Sequence, residues 1–333
     1  MSNVLTILRR ELAAYFTSPI GYIYMMVFVS ISVGLYITTF FAFPVADMRM
    51  YFLNLPILLC VFIPAVTMRT WAEERKENTW EMLLTLPMNT WELVIGKFLA
   101  GVSFYELSLL PTATLPVMIL EVGNPDPAST ALGHMGAIAS GYLGTLLLGS
   151  LFLAIGIFFS GFFKDQIVAF VITLLACFAI YMVGTPFVES TIDDYVRGLG
   201  SLLSELVGLT NHFGAFTRGV IEVADVLYFV AWTALFLFLN IAYIEGRSRK
   251  GHRALFALTA VICAAIGLTG NWLITDASFG RFDVTEDKVF TVSEASERIL
   301  STVDTPVQVK LYITPRSEMP AGMNTLQQVI EDK

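Results

Sequence analysis

Seven long apolar runs alternate with short polar segments along this 333-residue chain. They fall near 20–43, 52–68, 93–120, 136–162, 167–187, 226–244 and 254–275. Roughly 20 apolar residues cross a bilayer as a helix, so each run is read as a membrane span. The second is short and holds Pro56 and Pro64, so it is expected to tilt, kink or break. The third holds Pro111 and Pro116; prolines are tolerated in spans where neighbouring helices satisfy the freed carbonyls. Ahead of the first run, Val4, Leu5, Leu8, Leu12 and Tyr15 recur at helical spacing, with Arg9, Arg10 and Glu11 elsewhere on the wheel. Residues 1–19 therefore read as an amphipathic helix in the membrane interface, the alternative being the polar start of span 1. Thr17-Ser18-Pro19 ends it, because proline disfavours a helical residue before it.

The polar segments are unequal. Residues 69–86, RTWAEERKENTWEMLLTL, hold four glutamates, three basic residues and two tryptophans, and stop at Pro87. Trp71, Glu74, Asn78 and Glu81 fall at steps of three or four, and Trp80, Leu83, Leu84 and Leu86 form an apolar edge. One amphipathic helix is expected there. Its mixed charge favours a protein dock over lipid attraction, which would select a basic face; the plain alternative is a solvated connector. Residues 121–134 read as an ordinary turn. Residues 186–225 carry six acids between apolar stretches and are read as one or two short amphipathic helices. Beyond Asp276, Thr291 with Glu294 suggests a capping box opening a helix to about Val303. Alternation over 307–313 suggests a half-buried strand, and another helix is expected from Asn324. One helix and one strand cannot bury a core, so 279–333 is read as the incomplete start of a larger α/β domain.

Composition agrees with the pattern. Hydrophobic residues make up 56% and charged residues 14%, against about a quarter charged in soluble domains. Basic residues set an orientation. With the N-terminus cytoplasmic, that side collects Arg9, Arg10, Arg69, Arg75, Lys76, Lys97, Lys164, Arg247, Arg249, Lys250 and Arg253. The other side holds Arg49, Arg197 and Arg218 before residue 275. This puts 69–86 in the cytoplasm and the tail outside. The first run is as long as a full span, so no cleavable signal peptide is read. Cys60, Cys177 and Cys263 lie in apolar runs with no metal or disulfide spacing. His134, His212 and His252 are far apart, and no G-x-x-x-x-G-K-[ST], H-E-x-x-H or G-x-S-x-G occurs. Catalysis or a cofactor in this chain is not expected; if ATP drives it, another chain binds the nucleotide.

The run Met68 to Pro87 resembles the first cytoplasmic loop of ABC type-2 permeases. Thr79, Glu81, Leu83, Leu84, Pro87, Gly96 and Lys97 match the family's pattern. Asn78 stands where glycine is usual. The interfacial helix and six-span order extend the resemblance over about residues 1–246. His212 to Ile221, with its Arg218-Gly219-Val220-Ile221, resembles the region before the last span of such permeases. The resemblance implies that 69–86 couples to a separate nucleotide-binding ATPase subunit, which would hold ATP and Mg. The implied coupling residues are Arg69, Glu73, Glu74, Arg75, Thr79, Glu81, Leu83, Leu84 and Pro87. It also implies a homodimer or paired permeases within membrane lipid; nucleic acid is not an expected partner. The tail Arg281-Phe282-Asp283-Val284-Thr285, followed by Thr291-Val292-Ser293, is similar to the entry of the auxiliary extracytoplasmic subunit of gliding-motility-type ABC systems. Val284 and Val292 replace that pattern's leucines. The fold class that results is mainly α: a six-span permease, a seventh span, and the beginning of an α/β extracytoplasmic domain with room for an outer partner.

Two intramembrane features remain. Glu106 is the one acid well inside a span, at a cost of roughly 2.5–3.5 kcal/mol if charged at mid-membrane. It is either neutralised or hydrogen-bonded within the bundle, or lines a path between two copies. Gly141, Gly144, Gly149, Ser150, Gly156 and Ser160 suit span 4 to close helix packing. The resulting expectation is an ATP-driven permease of the inner cell membrane. Its alternative is a force-transmitting or assembly component that moves no solute.

Overall fold

The computed structural model describes residues 2–42, 48–85, 87–122, 133–196, 198–246, 252–276 and 280–285, together with Thr291 and Arg298. The expected strand at 307–313, the helix from Asn324 and most of the helix at 291–303 lie outside the described residues. So do Leu86, Arg197, Arg247, Arg249, Lys250 and most of the turn at 121–134.

Among the described residues, seven helices are long and apolar enough to cross a membrane, each near its expected place. The chain begins with α1 (Ser2–Thr17), a helix separate from the first span, α2 (Pro19–Ala42). Ser18 is a bend, and Pro19 takes the first helical position, where its missing N–H costs no hydrogen bond. The second span, α3 (Arg49–Thr67), is one continuous helix despite Pro56 and Pro64; of the tilt, kink or break expected there, the break does not occur. After a one-residue turn at Met68 the chain re-enters helix as α4 (Arg69–Lys76), and α5 (Trp80–Leu84) follows. Span 3 is α6 (Thr90–Leu109), then a 3-10 turn over Leu110–Ala113 at Pro111, then α7 (Thr114–Val122). Here proline does break the helix.

Span 4, α8 (Gly133–Ser160), is the most enclosed of the seven. Its glycines admit neighbours that any side chain would exclude. A Cβ at Gly149 would strike the Tyr105 ring, and one at Gly156 would strike Thr67. The small-residue series therefore packs α8 against α3 and α6. Spans 5 and 6 are α9 (Gln166–Val183) and α13 (Val223–Gly246). Between them lie α10 (Pro186–Tyr195), α11 (Leu199–Val207), α12 (Leu209–Thr217) and a short strand, β1 (Val220–Glu222). The one or two helices expected over 186–225 are thus three helices and a strand. The seventh, α14 (His252–Asp276), is peripheral and exposes Leu255, Leu258, Val261, Ile266 and Leu273. It is followed by β2 (Arg281–Asp283), which pairs antiparallel with β1.

Among the described residues the bundle holds three apolar clusters, the smallest joining Phe158, Leu239 and Cys263. The largest is centred on Phe28, Phe52, Leu55, Phe104, Tyr105, Phe152 and Phe216. The second unites Ile7 of α1, Trp71 of α4, Trp80 and Leu83 of α5, Leu93 and Val94 of α6, Ile157 of α8 and Ile244 of α13. It fills the end of the bundle where α1 lies, and it carries the segment 69–87.

Candidate functional site

The segment expected to be one amphipathic helix is two short helices at an angle. The break comes at Glu77–Thr79, where Asn78 has φ of +58°. A left-handed residue costs about 1–2 kcal/mol unless it is glycine, and asparagine is among the few others that visit the region routinely. The local polar pattern at 3.6-residue spacing runs through Asn78 without interruption, so helical periodicity alone could not reveal the break. The glycine usual at this position in the permeases resembled is the residue best suited to that conformation.

Thr79 closes the break. Its N–H and its hydroxyl both donate to the Glu74 carbonyl, at 3.0 and 3.2 Å. From there α5 turns back and drops Trp80 and Leu83 into the apolar cluster, where Trp80 meets Trp71 edge to face at 5.1 Å. Trp71 is fully buried.

α4 is fastened to the end of span 4. The Ser160 hydroxyl accepts from the backbone N–H groups of Trp71 and Ala72, at 3.1 and 3.3 Å, and donates to the Met68 carbonyl at 3.2 Å. Arg75 donates to the Gly161 carbonyl at 2.6 Å and lies 5.8 Å from the Trp80 ring.

The electrostatic centre is Lys97 on α6. Its ammonium is almost fully buried and donates to Glu11 of α1 at 3.0 Å, to Glu74 of α4 at 2.8 Å and to the Thr70 carbonyl at 3.0 Å. It also sits 4.9 Å from the Trp71 ring centroid. Arg10 completes the group, 2.5 Å from Glu11 and 3.5 Å from Glu74. Two cations and two carboxylates thus join three elements. Burial works against the charge of Glu11, but Lys97 and Arg10 outweigh it and hold its carboxyl below the usual 4.5. One residue earlier, Gly96 lets α1 cross α6: a Cβ there would lie 2.8 Å from Ile7 and 3.3 Å from the Val4 carbonyl. The Gly96-Lys97 pair is therefore a contact point followed by a charge anchor. Glu92 reinforces the crossing by accepting from the Asn89 N–H at 3.0 Å and from the Asn3 amide at 3.1 Å.

The residues read as coupling residues divide into three sets. Glu74, Arg75, Thr79 and Leu83 turn inward and build the junction. Arg69 and Glu73 are half-buried and pair with each other along α4 at 3.1 Å. Glu81, Leu84 and Pro87 are exposed. Lys76, Glu77, Asn78, Met82 and Thr85 are exposed too, so the exposed positions are of mixed charge and apolar character. Met82 is 67% exposed. Glu11 and Lys97 were missed as site residues. Lys97 could have been found as the one cation inside an apolar run. Glu11 carries no comparable signal, since Lys97, the buried cation it pairs with, lies 86 positions away in sequence (97 − 11). Glu106 is half-buried on α6, far from this site.

Comparison with known proteins bears on the same region. A model of the ABC-2 family of transporter proteins matches residues 48–248, which includes α4, α5 and five of the seven candidate spans, all but α2 and α14. A second model, described as a domain of unknown function (DUF7088), matches residues 286–333. No curated protein matches the chain.

Proposed function

The chain belongs to the ABC-2 family of transporter proteins, and from that premise we propose that a separate nucleotide-binding ATPase subunit seats on residues 76–87. A multi-pass membrane permease subunit is what the family and the seven apolar helices give. The finer reading adds that ATP and Mg are bound by the partner and that the permease works in pairs. It adds that residues 69–87 lie on the cytoplasmic side, where basic residues concentrate.

The observation that carries this reading is the contrast within α4 and α5. The inward side is pinned by Lys97, Ser160 and Trp71, while Glu77, Glu81, Met82, Leu84 and Pro87 stand exposed. A partner pushing on that face moves α1, α4 and α6 together, because Glu11, Glu74 and Lys97 tie them. Charge reversal at Glu74 or Arg75 would break the junction itself, so it is not a clean test of docking. The clean variant is Glu81→Lys with Met82→Asp. Purified from its native membranes, the wild-type chain should bring ATP-hydrolysing activity with it, and the double variant should lose that activity while keeping its thermal stability. Retention of the activity by the double variant removes the dock from this face.

The alternative, an assembly that delivers force to an outer partner and moves no solute, is favoured by one observation: the segment after α14 is hydrogen-bonded back onto the bundle through β1. Reconstituted vesicles containing chain and ATPase separate the two readings, since only a transporter changes vesicle content with ATP.

A further inference from the structure

We infer that residues 280–285 are a clip that makes the chain following span 7 move with spans 4 and 6 rather than swing from α14. α14 packs along α13, with Phe256 against Tyr243 and Phe158 and the Asn271 amide donating to the Leu206 carbonyl at 2.9 Å. It lies at the edge of the bundle, with Cys263 and Asn271 as its only buried side chains among those described. The strand after it is held quite differently.

Its backbone is laddered to β1: Val220 opposes Asp283, Ile221 opposes Phe282 and Glu222 opposes Arg281. Two further bonds extend the ladder, from the Val284 N–H to the Gly219 carbonyl at 3.0 Å and from the Val223 N–H to the Gly280 carbonyl at 3.2 Å. Arg281 and Glu222 add an ion pair across it at 3.6 Å. The Asp283 carboxylate then pins the exit, accepting from the Thr285 N–H and hydroxyl and from the Thr291 hydroxyl at 3.1 Å. The Arg, Asp and Thr positions that stand out in the tail sequence are thus the clip's fastenings.

The receiving surface is closely packed. A Cβ on Gly136, in the first turn of α8, would strike the Val284 carbonyl. Gly219 has φ of +88°, and a Cβ there would lie 2.7 Å from Thr285 and 3.2 Å from Ala137 of α8. The loop presenting β1 is itself stapled. His212 of α12 bonds Asp225 of α13 at 2.7 Å and stacks on Tyr228 at 4.0 Å, and the Tyr228 hydroxyl donates to the Val207 carbonyl at 2.9 Å. Residues 286–333 therefore leave from a platform made by the ends of α8 and α13. A rearrangement of those spans reaches them directly.

Electron–electron distance measurements on the full chain in lipid nanodiscs test the clip. Nitroxides at Met135→Cys and Arg298→Cys, both exposed, report the platform-to-tail distance; the native cysteines are buried. The wild-type background should give one narrow distribution. Val284→Pro removes the bond to Gly219 outside the bundle, and Gly219→Val forces a side chain into a left-handed site; each should cost the narrow distribution. A control pair at Met135→Cys and Leu273→Cys should keep its distance throughout, which separates clip opening from misfolding. A Glu222→Cys/Arg281→Cys disulfide should restore the narrow distribution in Val284→Pro. A distribution already broad in the wild-type background, or one left narrow by both variants, overturns the clip.

Discussion

Replacing Lys97 with methionine is the severest single perturbation the structure predicts at the α1 end. The substitution keeps most of the side-chain volume and removes one charge. That charge is held by three hydrogen bonds, to Glu11, Glu74 and Thr70, at 2.8–3.0 Å. Removing one partner of a buried ion pair costs about 3–5 kcal/mol, because the charge left behind is uncompensated. Here two carboxylates are left, with Arg10 alone to answer them, and Arg10 is half exposed. The upper part of that range is expected. The cost should vanish when the acids are neutralised too: Glu11→Gln/Glu74→Gln/Lys97→Met replaces charges by neutral groups of similar size, which is often close to neutral. The assay is thermal or denaturant unfolding of the purified protein, followed by tryptophan emission, since Trp71 and Trp80 lie in this junction. Lys97→Met should unfold the junction early, with a red shift, and the triple variant should regain most of the loss. Wild-type stability in Lys97→Met, or a triple variant as weak as the single, would refute the ion cluster as the fastening of α1, α4 and α6.

Four further outcomes follow from the same geometry. The Glu11 carboxyl sits below its usual 4.5, so its contribution is fully present above that value and is lost as pH falls through the lower, folded value. Tryptophan emission should be flat from neutral pH to about 5 and shift only in more acid solution, and Glu11→Gln should shrink that acid shift. Gly96→Leu should push α1 off α6 at a cost of about 1–3 kcal/mol, read as faster proteolysis of the N-terminus, with Ile7→Ala in the same chain recovering part of it. Asn78→Gly should be neutral or stabilising and Asn78→Val destabilising by about 1–2 kcal/mol, as measured by the same unfolding assay. Glu106→Gln should lower transport or coupled ATP hydrolysis if the carboxylate lines a path between copies; unchanged rates assign Glu106 to packing alone.

The spans were legible because a 20-residue apolar run has few other fates, and α2, α8 and α13 begin and end within about three residues of the pattern. What the pattern missed has physical causes. Pro56 and Pro64 looked like breaks, yet α3 stays whole where packed neighbours surround it, whereas Pro111 does interrupt α6. The segment 69–86 looked like one helix because Asn78 fits the polar face either way; only its backbone angle reveals the turn. Trp71 and Glu74 turn inward because α4 packs against α6 and α8, a direction set by tertiary neighbours that spacing alone does not show. β1 and β2 were invisible: three-residue strands about 60 positions apart leave no periodic trace, and 213–223 read equally well as a helix. The resemblance to ABC type-2 permeases found Lys97 and Gly96 as a motif, and the structure supplies the reason for the pair.

The most direct measurement is site-specific photocrosslinking in native membranes. A photoreactive residue at Met82 should capture a protein carrying a G-x-x-x-x-G-K-[ST] phosphate loop, and the same group at Phe187, 78% exposed at the opposite end of the bundle, should not. Capture of that ATPase from Phe187 and not from Met82 would contradict both the docking face and the orientation assigned to it.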